Sequence, residues 1–425
     1  MKTFAGIVGW LLPILGVVLL AGCHPLNKAQ SSGHAPAITT SPTATAGLAL
    51  SSPTRSHTIS PSRPAPSAAF VDAQPGVILQ IPRAFHTATR LADGRILLVG
   101  GSQSTDDFPL AVNAFDPATG LIHQVAPLDA PRHGHSATLL PDGRVLVIGG
   151  YNLPQQWLSD AEVYDPERDT WTIVSPRYSH GLTHSATVMP DGRVLVVGGN
   201  TGSGRSTDRV EIFDPQTNAW TEARPLASDR ANHTAQLLAD GRVLVAGGWG
   251  GANTPIGGDA LIYDPQADTW TATGPMVEPR IWAQSARLLD GRVLVVGGIT
   301  QKDQYIPKIS ASAEIYDPAS NTWTAAPDMA QPRYSHFLVL RPDGQVLAFG
   351  GARDWDCCYT SDSFVREIEL YDPVANQWST VGELPEPRAQ AGAALLPDGR
   401  VWLAGGRTNG QPGALHFADT WLIGS

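Results

Sequence analysis

The sequence predicts an all-β protein, a seven-bladed β-propeller whose last blade is closed by an N-terminal strand. Two observations carry the prediction. Seven Gly-Gly pairs close seven similar apolar runs, at Gly100-Gly101, Gly149-Gly150, Gly198-Gly199, Gly247-Gly248, Gly297-Gly298, Gly350-Gly351 and Gly405-Gly406. Seven Asp-Gly turns, from Asp93-Gly94 to Asp398-Gly399, precede those runs in step. A unit of about 50 residues repeated around a ring is a propeller pattern.

Each unit reads as four strands. The first carries small and apolar residues, as in His135 to Leu140, and leads into an Asp-Gly hairpin turn. The second is a run such as Val145 to Ile148, apolar on both faces as a strand between packed sheets must be. The third ends in an aromatic-Asp-Pro turn that begins at Phe115, Tyr164, Phe213, Tyr263, Tyr316 or Tyr371. The fourth begins near Trp171, Trp220, Trp270, Trp323 or Trp378. After Gly406 the last unit has a third strand around Asp419 to Ile423 and then stops. Val77 to Ile81 precedes Pro82-Arg83 in the register of a fourth strand, so these residues are expected to complete the last blade and leave no open edge.

This combination of Gly-Gly, aromatic-Asp-Pro and Trp resembles the kelch repeat, over residues from about 77 to 425. The resemblance extends to the propellers of the galactose oxidase-like superfamily. Their copper radical chemistry implies two tyrosines, two histidines, a thioether-linked cysteine and a further C-terminal domain. Here Tyr178-Ser179-His180 and Tyr334-Ser335-His336 approach the Tyr-His pair but are interrupted by serine, and the body cysteines sit in one loop. Copper radical oxidation is therefore not expected, and the reading leans against an enzyme. Six-bladed sialic-acid mutarotases are a second comparison within the resemblance; the motifs neither require nor exclude such an activity.

The N-terminus reads as a targeting segment. Lys2 precedes an apolar run from Ile7 to Leu20, which is short for a membrane span. Leu20-Ala21-Gly22-Cys23 resembles the bacterial lipobox, which implies a signal peptide over residues 1–22 and lipidation at Cys23. Several acyl chains would anchor stably. His24, where an aspartate usually marks inner-membrane retention, leans the expected location towards the outer membrane, on its periplasmic or surface face. Residues 23–72 are rich in Ser, Thr, Pro and Ala and read as a disordered tether, with the propeller over 73–425. The whole chain has a net charge of −10, and no acidic residue precedes Asp72, so the body is more acidic still. An acidic body argues against a nucleic-acid partner.

An arginine opens every repeat: Arg83, Arg132, Arg177, Arg230, Arg280, Arg333 and Arg388. Each has two roles open to it. It can pair with a third-strand acid such as Glu162, Glu211, Glu314 or Glu369, or it can contact a ligand near the axial mouth. Arg132, Arg177, Arg230, Arg280 and Arg333 stand as ligand candidates on the second. Three residues after the arginine comes His86, His135, His180, His233 or His336, with Ala283 and Ala391 in blades five and seven. Blade three has four extra residues and a second histidine, His184, in register with its turn. A motif that appears wherever the repeat does speaks for packing rather than a metal site, which needs convergent ligands and a second shell. No metal or other cofactor is expected.

Departures from the repeat carry more. Trp157, Trp249, Trp282 and Trp355 lie off its register, in the connections that open on one face of the fold. They suit stacking on sugar rings, or the sealing of seams between blades. The longest connection, in blade six, contains Asp354-Trp355-Asp356-Cys357-Cys358-Tyr359. In an exported protein Cys357 and Cys358 would not stay reduced, and adjacent cysteines can close a strained ring disulfide. The expected function is a monomeric, membrane-anchored binding propeller that recognises carbohydrate of the cell envelope. A protein-interaction platform of the envelope and a sugar-modifying enzyme are the alternatives.

Overall fold

The computed structural model describes residues 72–104, 107–152, 156–202, 205–251, 256–303, 306–354, 363–409 and 414–424. Cys23, the tether, Trp355, Cys357 and Cys358 lie outside the described residues. Among those described, seven four-stranded antiparallel sheets follow one another around the ring, as the sequence predicts. Blade two shows the plan. Its strands Ser136–Leu139, Val145–Ile148, Ala161–Asp165 and Thr170–Ile173 pair in sequence order from the axis outward. The second strand is buried at all four positions, and the outermost is mostly exposed. Val, Leu and Ile fill second strands because both faces meet a neighbouring sheet. Each such side chain contributes roughly 2 kcal/mol on burial.

The outer edge is stitched by the residues that name the repeat. The Tyr164 hydroxyl donates to Asp169 at 2.8 Å, and the Trp171 indole N–H donates to the Ala126 carbonyl of the preceding blade at 2.8 Å. Tyr263 with Asp268, and Trp270 with the Arg224 carbonyl, repeat this arrangement two blades on.

The Gly-Gly pairs make the ring. Gly149 and Gly150 both adopt left-handed φ, 62° and 103°, which glycine alone adopts freely. A Cβ on Gly149 would stand 2.3 Å from the Gly181 carbonyl oxygen of the next blade. That close approach lets the Gly150 amide donate to the same carbonyl at 2.8 Å. Equivalent bonds run from Gly101 to Arg132, Gly199 to Arg230, Gly248 to Arg280, Gly298 to Arg333, Gly351 to Arg388 and Gly406 to Arg83. The last of these, at 2.8 Å, joins the final blade to the first.

An N-terminal strand closes the last blade, but not the one the register predicts. Ala73–Pro75 pairs antiparallel with Thr420–Ile423, with Ala73 opposite Ile423 and Pro75 opposite Trp421. Val77 to Ile81 follows as irregular backbone, bound by Gly76 N–H to the Thr420 carbonyl at 2.8 Å and Leu79 N–H to the Ala418 carbonyl at 2.6 Å. Leu79 leaves the ladder to fill the core beside Ile96, Leu98 and Trp402. Its burial outweighs continued pairing, so the strand proper is displaced upstream, where Pro75 is tolerated on a sheet edge.

Candidate functional site

The opening arginines are structural anchors in six blades. Arg132, fully buried, donates to the carbonyl of Gly149 at 2.8 Å and to Glu162 at 2.6 Å. Arg280 meets Gly297 and Glu314 in the same way, and Arg333 meets Gly350 and Glu369. Arg83, Arg230 and Arg388 also make a double contact, Arg83 with Asn113 on its third strand and Arg230 and Arg388 with Asp259 and Asp419, which immediately precede theirs. The carboxylates also clamp backbone: Glu369 accepts the amides of Ala330 and Gln331. Of the ligand candidates, Arg132, Arg230, Arg280 and Arg333 thus have their guanidinium groups engaged inside the blades.

Blade three departs from the expected pairing. Arg177 points into solvent, 71% exposed, with its nearest carboxylate, Glu222, 3.7 Å away. Glu211 is held instead by His180, whose Nε2 lies 3.1 Å from it and whose Nδ1 lies 2.8 Å from the Gly198 carbonyl. These are the two partners arginine has elsewhere. Gly181, not Arg177, takes the arginine's backbone place, because its carbonyl receives the Gly150 amide. The four inserted residues push Arg177 and Tyr178 outward, where Arg209 stacks 4.6 Å over the Tyr178 ring.

The remaining repeat histidines join neighbouring blades. His135 meets the Thr87 hydroxyl at 3.0 Å, His184 the Ser136 hydroxyl at 2.7 Å and His233 the Ser185 hydroxyl at 2.9 Å. Hydroxyl and imidazole at this distance would suit a nucleophile and its base. Their electrostatics do not: burial, reinforced by neighbouring cations, holds His184 and His233 down to about 3. Such rings accept a hydrogen bond but are poor bases at neutral pH. His86, buried and facing Gly392, is likewise lowered to about 3, first by burial and then by Arg83.

A collar surrounds the axial mouth on the face opposite the Asp-Gly turns. One residue per blade adopts left-handed φ: Phe85 at 58°, Gly134 at 65°, Thr183 at 60°, Asn232 at 58°, Trp282 at 51°, Ser335 at 49° and Gln390 at 56°. Their backbones are chained from blade to blade, Phe85 N–H to Gln390 at 2.8 Å, Gly134 to Phe85 at 3.0 Å and Trp282 to Asn232 at 3.0 Å. The conformation costs a non-glycine residue about 1 kcal/mol or more, and the ring of bonds holds it. Because backbone makes the collar, its side chains are free to differ. The Oδ1 of Asn232 is buried there without a hydrogen-bond partner. Sequence reasoning found Trp282 alone of these seven. The signal for the others was the variable residue directly before each histidine His86, His135, His184, His233 and His336, and before Ala391 in blade seven.

Above the collar stand the connections between second and third strands, which bring Trp157 and Trp249 to the face where collar residue Trp282 lies. Trp157 lies edge-on to Tyr151 at 5.5 Å and covers Gly202 of blade three. Trp249 and Trp282 pack on the apolar cluster of Ile281, Ile299, Tyr334 and Phe364, and Trp282 sits 6.0 Å from the Tyr334 ring. All three share the face and are partly covered, each spanning a seam between blades. His133, which the motif analysis passed over, is buried between Phe85, Phe108 and Tyr151. Burial, then the charges of Arg407 and His416, lowers it to about 4.

One cleft on this face joins two of the predicted residues. Ser228, Asp229, Arg230, Gly248, Trp249, Gly250, Gly257 and Asp259 line a depression of about 410 Å³. Partial desolvation, then the charge of Asp208, raises the Asp229 carboxyl above its usual range. Arg230 is paired with Asp259, so Asp229 is the carboxylate left to face a ligand.

The family comparisons agree with this architecture. A family model described as the Attractin/LZTR1 beta-propeller matches residues 81–288, and one described as the kelch motif matches residues 285–330. The chain is a kelch-repeat β-propeller. Among curated relatives, Kelch-like protein 34 of Homo sapiens is 27% identical over 117 residues, covering 27% of this chain and 17% of that protein. Alpha-scruin of Limulus polyphemus is 34% identical over 95 residues, covering 22% of this chain and 10% of that protein. These matches therefore span less than a fifth of the relatives' own length. A fungal alcohol oxidase of the AA5 family, solved in complex with copper, superposes with a TM-score of 0.67 at 20% identity, over 83% of this chain and 76% of that one. That likeness is one of fold. The described residues of this kelch propeller do not form a copper site. Tyr334 is buried in the apolar cluster, Tyr178 bonds Glu222 at the rim, and the described residues hold no group of three His, Cys, Asp or Glu side chains placed to grip a metal.

Proposed function

We propose that this kelch propeller is a binding protein that recognises carbohydrate on the collar face, without catalysing a reaction. The cleft at Trp249 carries the reading. An indole and a carboxylate free to accept from hydroxyls line one depression, floored by the glycines Gly248, Gly250 and Gly257. Sugar rings pair an apolar face with hydroxyl edges, and an aromatic platform beside polar groups matches both. Low imidazole basicity along the seams supports binding over acid–base chemistry. We propose further that Cys23 anchors the protein to a bacterial membrane, with the collar face turned to envelope or environmental glycans.

A glycan array on the purified propeller tests the ligand. Binding that Trp249→Ala and Asp229→Asn both weaken about tenfold or more is expected; no binding to any glycan would overturn the reading. A protein partner is the second reading, favoured by Val277, which stands 57% exposed in a connection of the same face. Crosslinking in whole cells with no glycan signal would select it. Cys23→Ser should release the protein from the membrane fraction, and retention there would remove the anchor.

A further inference from the structure

We infer that blade three carries a proton-dependent latch where the other six blades carry a permanent one. Each blade holds its first Gly-Gly carbonyl together with a polar side chain in or just before its third strand. In six blades a guanidinium does so, and arginine keeps its charge at any working pH. In blade three His180 does it alone.

Hydrogen-bond chemistry assigns the ring's protons. The Gly198 carbonyl facing Nδ1 can only accept. Glu211, facing Nε2, already accepts the amide of Arg177 at 3.0 Å on one oxygen and that of Tyr178 at 3.0 Å on the other. A carboxylate gripped by these donors is an acceptor, so both ring nitrogens donate and His180 is an imidazolium in this arrangement. The other titratable groups around it leave that assignment intact. His184, its nearest ring at 5.9 Å, is held neutral by burial and by the charge of His180. The Arg177 guanidinium and the Tyr178 hydroxyl point away, towards Glu222.

Loss of one proton turns one ring nitrogen from donor to acceptor, opposite an acceptor. It also leaves Glu211 buried with no cation beside it. Such an unpaired buried charge is costly. The segment that yields is the inserted connection at Arg177 and Tyr178, since Glu211 holds both of its amides. Rising pH therefore loosens this connection, and with it the approach to collar residue Thr183, while the arginine-held connections stay shut.

Amide hydrogen exchange, corrected for intrinsic chemistry, tests the latch in the intact protein from about pH 5 to about pH 8. Protection of the Arg177 and Tyr178 amides should fall with rising pH, by up to about tenfold per unit. Ala330 and Gln331, held by Glu369 and Arg333, are the internal control and should stay level. Nitrogen NMR of the His180 ring should show both nitrogens protonated where protection is high. His180→Gln should give weaker protection that no longer depends on pH; should it fail to fold, the comparison within the wild-type chain still decides. Parallel behaviour of the two pairs of amides, or a singly protonated ring where the connection is protected, would overturn the latch.

Discussion

His180 Nε2 stands 3.1 Å from Glu211, in the place where blade two sets Arg132 against Glu162. One acid is thus served by a short aromatic ring from one residue upstream, and its equivalents by long flexible cations. Removing the acid should expose the dependence. Glu211→Ala should destabilise the protein by about 3 kcal/mol, since it strands a buried cation and two amides. Chemical denaturation measures the loss; a change below about 0.5 kcal/mol would mean that the pair is dispensable.

Arginines that look alike in the repeat should behave oppositely. Arg333→Met leaves Glu369 buried and unpaired and should cost about 3–5 kcal/mol. Arg177→Ala touches an exposed side chain and should stay within about 0.5 kcal/mol. Paired melting curves of the two variants check the contrast, and equal losses would refute it.

Glycine at 149 is required by geometry. Gly149→Ala would place a methyl 2.3 Å from the Gly181 carbonyl oxygen at a left-handed φ. Strain and the weakened Gly150 bond together should cost about 2 kcal/mol or more. Gly143→Ala, at a turn open on all sides, should cost less, chiefly through its φ of 89°. The ratio of the two losses in urea is the measurement.

Acid should weaken the seams. His86, His184 and His233 are lowered to about 3 and His133 to about 4, in each case first by burial. The unfolded chain, with imidazoles near 6.5, takes up protons before the folded one does as pH falls. Their contribution is therefore complete above about pH 6.5 and is lost as pH falls towards the folded values, at up to about 1.4 kcal/mol per unit for each group. Melting temperature should drop steadily from about pH 6.5 to about pH 4. His233→Gln should make that decline shallower, and an unchanged slope would assign acid sensitivity to other groups.

Leu79 tests the closing segment. Leu79→Ala removes a buried side chain from the cluster with Ile96 and Trp402 and should cost about 2–5 kcal/mol. Ile78→Ala, at an exposed neighbour, should be nearly neutral in the same denaturation series.

The sequence by itself determined the number of blades, the order of strands and the existence of an N-terminal closure. Those follow from local chemistry that recurs unchanged: Asp-Gly turns, doubly buried Val and Leu runs, and glycines where two backbones nearly touch. It also located the face on which Trp157, Trp249 and Trp282 gather. Only the tertiary structure decided which residues of that face matter. Register along a strand is set by contacts across blades, so the closing strand is Ala73–Pro75, with Leu79 diverted to the core. The same cause turned Arg177 outward: Gly181 meets the Gly150 amide, and His180 is left to hold Glu211. The collar stayed hidden because its backbone defines it, and a row of Phe, Gly, Thr, Asn, Trp, Ser and Gln has no common side chain to read.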